Sequence, residues 1–509
     1  MRLPDLPYDG GAYGADILSL GGLNRSDRYQ DGQLAHCENL STRRWPRFST
    51  RSARRKREGC EGVTALTVWG EPVYVKGYDL FYAGEKVGTV TPGEKQFAVV
   101  NTKLVIWPDK KYLDLNSRTL KPLGAELDVS GGTFTHNTLT VKDADLTLVF
   151  KAGDAIELSG CTTVTGNNKS ILVRGVTQTA LTVSDNAFTE GTESSTMKLV
   201  RRVPDLDFIC ASENRLWGCS SDQKTIYASA LGDPTNFFVF DGLSTDSYAV
   251  AVGTDGDFTG CCTQGSAVLF WKEAVLHKLM GSFPAEYALY TYHIEGLKAG
   301  CHKSLVILNE VLYYLGLHGV YAYAGGTPTL VSSVFGNHRY TDGVAGSDGQ
   351  RYVLSAREGE DWSLLVYDPG LGMWLREDDT RAVDFARQGA ELLFANQQGE
   401  VWSMGAGEDD PDVTWSMELC PMYETLEGNK RYSKLLIRME LPRGAWMGAQ
   451  VKQGDGRWKE VGKRLGSGSG VAVFPVPISR GDKFTLRLYG QGPCTIFGIR
   501  RQFRVGSER

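Results

Sequence analysis

The 509-residue chain contains no run approaching the ~20 consecutive apolar residues that a membrane-spanning helix needs. Its first twenty residues, MRLPDLPYDGGAYGADILSL, hold no apolar core of signal-peptide length and carry Asp5, Asp9 and Asp16. Maturation in a reducing cytosol is therefore expected. The ten cysteines include no CxxC pair, so they read as buried free thiols rather than as a disulfide or zinc framework. Seven histidines are few, and none stands at i, i+4 from another with a carboxylate between them, which removes zinc-hydrolase chemistry. A GxSxG elbow, a phosphate-binding GxxxxGK[ST] loop and an EF-hand loop are all missing. The repeated aspartate turns of a sialidase are reduced to a single look-alike, Gly454-Asp455-Gly456-Arg457-Trp458, which a hairpin tip explains equally well. The turn Thr254-Asp255-Gly256-Asp257 offers two carboxylates where a calcium loop wants three or more. No catalytic residue, metal ligand or cofactor is assigned, and the chain is not expected to be an enzyme. Helical periodicity is scarce too, with only Lys272 to Met280 readable either way.

What the chain has is glycine and short strands. Its 60 glycines are nearly 12% of the residues, against a usual ~7%, and follow no Gly-X-Y period. They punctuate apolar runs that recur about every forty residues as chains of hairpins. Polar turns such as Asn309-Glu310 and Arg387-Gln388-Gly389 join the first two strands of a unit. Glycine turns such as His318-Gly319 and Gln398-Gly399 lead to a third strand ending in Tyr321 and Tyr323, or in Trp402. One such sheet cannot cover both its faces, whereas sheets packed radially can, so the pattern predicts an all-β chain with a β-propeller of six or seven blades. Residues 126–199, rich in Thr, Val, Ser and Gly, break the period and read as an inserted small β-domain. From 413 the clean alternation of LLIRMEL and FTLRLYG predicts a C-terminal β-sandwich over 413–509. Blades are assigned to 55–125 and 200–412. Residues 1–54, with few apolar clusters, read as an extended N-terminal arm.

Charge is unevenly spread. Arg43, Arg44, Arg47, Arg51, Arg54, Arg55, Lys56 and Arg57 fall within fifteen residues that hold no acid. Subtracting those eight charges from the formal −5 leaves −13 on the rest of the chain. An acidic body with one basic strip suggests either pairing with carboxylates, in the acidic body of a neighbouring subunit for example, or contact with a polyanion such as DNA.

The run NLSTRRWPRFSTR, residues 39–51, leads straight into the first apolar hairpin. It resembles the stretch ahead of blade one in the β-propeller proteins of tailed-phage tails, including the tail nozzle or packaged-DNA-stabilisation proteins of short-tailed phages. Three further elements are similar: Asn214-Arg215-Leu216-Trp217 with Leu231-Gly232-Asp233-Pro234, Ala267 to Glu273, and Val366-Tyr367-Asp368-Pro369 closing on Trp374. The resemblance implies a structural virion protein, a nozzle, hub or connector ring below the portal, that forms or closes the DNA channel. It also implies a ring-shaped homo-oligomer, other tail proteins as partners, non-specific contact of the basic strip with packaged DNA, and assembly in the host bacterial cytoplasm. It carries no catalytic residues. The alternative reading is a glycan- or receptor-binding β-propeller at the virion or cell surface.

Overall fold

The computed structural model describes residues 13–184, 186–405, 407–424, 429–476 and 480–505. Among them are forty-six strands and five 3-10 helices of three residues each, so the chain is all-β. It divides into two compact units, residues 1–70 with 303–509, and residues 71–302.

The first unit holds a two-sheet body and three four-stranded antiparallel meanders. One sheet of the body runs in the order Leu40–Ser41, Phe48–Thr50, Thr495–Val505, Lys430–Leu441, Gly468–Pro475, with Tyr13–Ile17 also paired to Thr495–Val505. The other runs Leu34–Glu38, Thr414–Leu419, Phe484–Gln491, Trp446–Gln453, Lys459–Leu465. Alternation sets the faces: Leu435, Ile437, Met439 and Leu441 are buried while Arg438 between them is exposed. The Gly454 to Trp458 segment is the tip of the hairpin between Trp446–Gln453 and Lys459–Leu465. Residues 13–50, expected as an extended arm, are instead four strands of these two sheets. Leu20, Leu23, Leu34, Cys37, Leu40 and Phe48 are all buried, whereas Leu18 is exposed. Those apolar residues are too sparse to form a core alone and become one only against strands more than about 330 residues away.

The meanders of this unit begin at Val306–Leu308, Thr341–Ser347 and Ala382–Gln388. Their first strands lie side by side in that order, and Val63–Trp69 lies beside the last of them. The third meander takes its fourth strand from far upstream: Arg55–Lys56 pairs with Val401–Met404. Hairpin tips follow the turn chemistry, with Asn309 and Glu310 both at positive φ, as a two-residue type I′ turn requires. The Tyr367 and Trp374 rings pack 4.8 Å apart, and the Trp374 indole N–H donates to the carbonyl of Val331 at 2.8 Å.

The second unit opens with the strands Glu71–Lys76, Asp79–Tyr82 and Glu85–Thr89, followed by four-stranded meanders that start at Gln96–Val100, Phe208–Ser212 and Gly260–Gln264. The segment that could be read either way contains the strand Val275–Met280. Between the second and third of these meanders, Trp217, Cys219, Ile226, Phe258, Val268 and Phe270 make one buried cluster. Ahead of the strand at Phe208, residues 125–201 form a seven-stranded sheet with its own core of Val129, Phe134, Leu139, Leu158, Leu181 and Leu199, among others. A long loop, 229–247, docks against it. Arg215, fully buried, holds that loop by donating to the carbonyls of Ser229 (2.8 Å), Ser244 (2.6 Å) and Asp246. Asn236 donates to Asp154 of the seven-stranded sheet domain at 3.0 Å. The ten cysteines are free thiols.

Candidate functional site

The basic strip is met by acids of its own chain. Arg54 is clamped between Glu377 and Asp378 at 2.7 Å each, and its side chain is 10% exposed. Arg51 pairs with Asp410 at 3.0 Å and donates to Asn39 at 2.7 Å. Arg44 faces Asp409 (3.6 Å) and Glu440 (3.8 Å), Arg55 faces Glu408 (2.6 Å), Lys56 faces Glu400 (2.7 Å) and Arg57 faces Glu391 (2.9 Å). Among the described residues Arg43 and Arg47 make no ion pair. Arg43 reaches the Gly407 carbonyl at 3.4 Å, and the Arg47 guanidinium lies 4.7 Å over the Phe497 ring. Of the residues expected to face a polyanion, Arg51 and Arg54 are largely enclosed in ion pairs within the chain, their side chains 15% and 10% exposed. For Arg44, Arg55, Lys56 and Arg57 the facing carboxylates offset the charge. The physical reason is topological: the acidic runs at 377–379 and 408–410 lie at the ends of the meander whose sheet Arg55–Lys56 completes.

The acidic turn at 254–257 is likewise occupied from within. The buried Lys272 ammonium donates to the carbonyls of Thr254 (2.9 Å), Asp255 (3.3 Å) and Gly256 (2.6 Å), and lies 4.9 Å from the Phe258 ring centre. Burial pulls this ammonium below its usual range. Burial, and then the Lys272 charge, takes the neighbouring His277 imidazole down to about 4. The turn is therefore a lysine cage, and its carbonyls already have a cation. Lys272→Met should cost about 1–3 kcal/mol, because the turn loses the buried charged donor that ties its three carbonyls together. Thermal unfolding checks this. A parent melting point that climbs with millimolar calcium, together with an unchanged Lys272→Met melting point, would refute the assignment.

A third carboxylate sits in a nest of donors in the seven-stranded domain. Glu193 accepts the amides of Thr162 (2.9 Å), Thr163 (2.8 Å), Val164 (3.2 Å), Ser194 (3.1 Å) and Ser195 (3.1 Å). Burial opposes ionisation there, but the amide and hydroxyl donors outweigh it and hold the carboxyl well below its usual range. The site is filled by the chain's own anion.

A polar cleft of about 770 Å³ lies open in the first unit. One wall is the loop 24–28. Asn24 shapes it, accepting from the Ser26 amide (2.9 Å) and hydroxyl (2.8 Å) and donating to the Arg28 carbonyl (3.0 Å) and Gln33 (2.8 Å). The opposite wall is 333–339, beginning with the 3-10 helix Ser333–Phe335. The Arg25 amide donates to the Val334 carbonyl at 2.7 Å. Gly336, at φ +58°, lies so close to this loop that a Cβ there would stand 3.3 Å from the Ser26 Cα. Behind the cleft a network is satisfied within the protein: Arg25 bonds Glu358 (3.0 Å) and the Tyr340 hydroxyl (3.2 Å), and Glu358 also meets His338. In front, Asp27, Arg28, Asn337 and Arg339 are exposed. Arg339 spends Nη1 on the carbonyls of Gly336 (2.9 Å) and His338 (3.0 Å). Among the described residues, neither Arg28 nor Arg339 pairs with an acid.

No protein-family model and no curated protein matches the chain. Among solved structures it is similar to an exo-beta-1,3-galactanase from Phanerochaete chrysosporium with galactose, at 9% identity and a TM-score of 0.22, over 56% of this chain and 92% of that one. A putative exported protein from Bacteroides fragilis matches at 10% identity and a TM-score of 0.26, over 53% of this chain and 84% of that one. A family 29 carbohydrate-binding module matches 22% of this chain and 75% of its own, at 10% identity and a TM-score of 0.12. Identities and scores this low name no family and carry no function to the chain.

The cleft residues were not singled out by sequence reasoning. The runs Asn24-Arg25-Ser26-Asp27-Arg28 and Asn337-His338-Arg339 each read as an ordinary polar turn, and they are some 310 residues apart. The one available signal is arginine set close to asparagine in both turns.

Proposed function

We propose that the protein is a non-enzymatic recognition protein of the β-propeller type, displayed at a virion or cell surface, whose polar cleft takes a glycan. The observation that carries the proposal is the cleft: two arginines without acidic partners, an aspartate and an asparagine converge on a preformed recess with internally satisfied walls. Convergent donors and acceptors held by a rigid frame suit a polyhydroxylated ligand. The virion setting rests on the resemblance of residues 39–51 and the later motifs to phage tail propellers. Seven blades are proposed, supported by the repeated four-stranded meanders and by Arg55–Lys56 completing the sheet of the last one. The test is an array of bacterial-envelope and animal-surface glycans, with product analysis of each retained glycan. Retention without cleavage is expected. Failure to retain any glycan, or release of shortened products, would overturn the reading.

A second reading, a structural ring component of a phage tail, is favoured by one observation. Leu465, Val471 and Val473 stand exposed on the two edge strands Lys459–Leu465 and Gly468–Pro475 of the sandwich, where another subunit could cover them. Electron microscopy of the purified protein showing closed rings would favour this reading. Monomers at micromolar concentration would count against it.

A further inference from the structure

Resting on the glycan reading, we infer that the ligand of the cleft between loop 24–28 and residues 333–339 is an acidic sugar, its carboxylate held by Arg28 and Arg339. Three features of the site carry this. The first is the state of the arginines. Arg25 is already engaged by Glu358 and Tyr340, so it builds the wall. Arg339, part of the lining, has only Nη1 committed, to two backbone carbonyls, and its Nε and Nη2 make no bond among the described residues. Arg28 makes no side-chain bond among the described residues. A guanidinium presents paired donors that match the two oxygens of a carboxylate, so two uncommitted forks in one recess form a carboxylate receiver.

The second feature is the absence of a stacking surface. The lining includes no Trp, Tyr or Phe, and Tyr340 lies buried behind it. A neutral pyranose that relies on an aromatic plate has nothing to rest on here. The exposed aromatic rings lie outside this lining, among them Tyr13, Trp69 and Tyr423 elsewhere in the same unit, and Tyr290 and Tyr292 on the strand Ala288–His293 in the other. The third feature is the balance of charges. Asp27 in the same lining is suited to accept sugar hydroxyls, and the chain as a whole carries −5. Those negative charges oppose a densely charged polyanion such as DNA over a Debye length of roughly 8–10 Å, but hinder a single carboxylate seated between two guanidinium groups far less.

The experiment uses the full chain on a glycan array holding sialylated, uronic-acid and neutral oligosaccharides. The best acidic binder is then titrated beside its methyl ester, and a 20-base single-stranded DNA is run in parallel. Binding concentrated among acidic glycans is expected, with the ester at least tenfold weaker. Arg28→Ala and Arg339→Ala should each weaken the acid tenfold or more, and Tyr290→Ala should change nothing. Both arginines are exposed, so unchanged melting points will show that the variants are folded. Neutral glycans bound as tightly as acidic ones would overturn this inference and leave the glycan reading standing, whereas binding lost in Tyr290→Ala would place the site outside the cleft and overturn both. No bound glycan of any class would overturn both. DNA binding that disappears with Arg28→Ala would overturn the acidic-sugar assignment in favour of a nucleic-acid phosphate.

Discussion

Replacing Arg54 with methionine should destabilise the first unit by about 3–5 kcal/mol, the range expected when one partner of a buried ion pair is removed and its carboxylates are left behind. Arg54 is held between Glu377 and Asp378 at 2.7 Å each and also donates to the Thr380 hydroxyl at 3.1 Å. The Glu377 side chain is only 4% exposed, so water cannot replace the guanidinium. By contrast Lys56→Met, which removes a solvent-screened pair with Glu400, should leave the stability close to that of the parent. Urea titration of both variants provides the comparison. An Arg54→Met variant within 1 kcal/mol of the parent would show that the cluster is solvated in the folded protein.

The same cluster predicts a pH dependence. Burial alone would raise the Asp378 carboxyl, but the Arg54 charge and the Thr380 donors outweigh it and hold it below the usual carboxylate range. A carboxyl whose folded pKa is depressed binds fewer protons than its unfolded counterpart near pH 4. Its contribution is therefore complete above the unfolded value of about 3.9 and is lost as the pH falls below it. Parent stability should fall between about pH 4 and pH 2, and the fall should be shallower in Arg54→Met. Equal slopes in the two proteins would refute the linkage.

Deleting residues 1–50 should prevent the first unit from folding, rather than free a removable arm. The deletion takes the strands Tyr13–Ile17, Leu34–Glu38, Leu40–Ser41 and Phe48–Thr50 out of both sheets of the sandwich. It also removes Leu20, Leu23, Leu34, Cys37, Leu40 and Phe48 from the interior. At roughly 1.5–3 kcal/mol for each large apolar side chain, the loss is comparable with the whole stability of a typical domain, about 5–15 kcal/mol. The buried Arg501, which meets Asp31 at 2.9 Å and Glu424 at 2.6 Å, would also lose one of its two acids. The expected outcome is insoluble protein, or a soluble one whose remaining transition comes from residues 71–302 alone. A soluble deletion variant that melts like the parent would show that these strands are dispensable.

Local chemistry was readable from the sequence itself. Alternation in Leu435 to Leu441 marks the buried face of a strand, because side chains on a pleated backbone point to opposite sides in turn. Asn309-Glu310 and Gln398-Gly399 mark tight turns, because Gly399 and both residues of the first pair take positive φ. Such signals act within a few residues, and together they determined an all-β chain. Partnership was decided only by the tertiary structure. The eight basic residues between 43 and 57 look like a free cationic strip until the fold brings acids from 377 to 440 beside six of them. The turn at 254–257, too poor in carboxylates for calcium by its sequence, is seen only in the fold to hold the Lys272 ammonium on its carbonyls. The cleft exists because the loop at 24–28 is seated on residues 333–339, and neither turn carries information about the other. Hydrogen bonding to near neighbours leaves a trace in composition and spacing. Contacts across hundreds of residues depend on which surfaces the packed sheets bring together, and a single sequence does not record that.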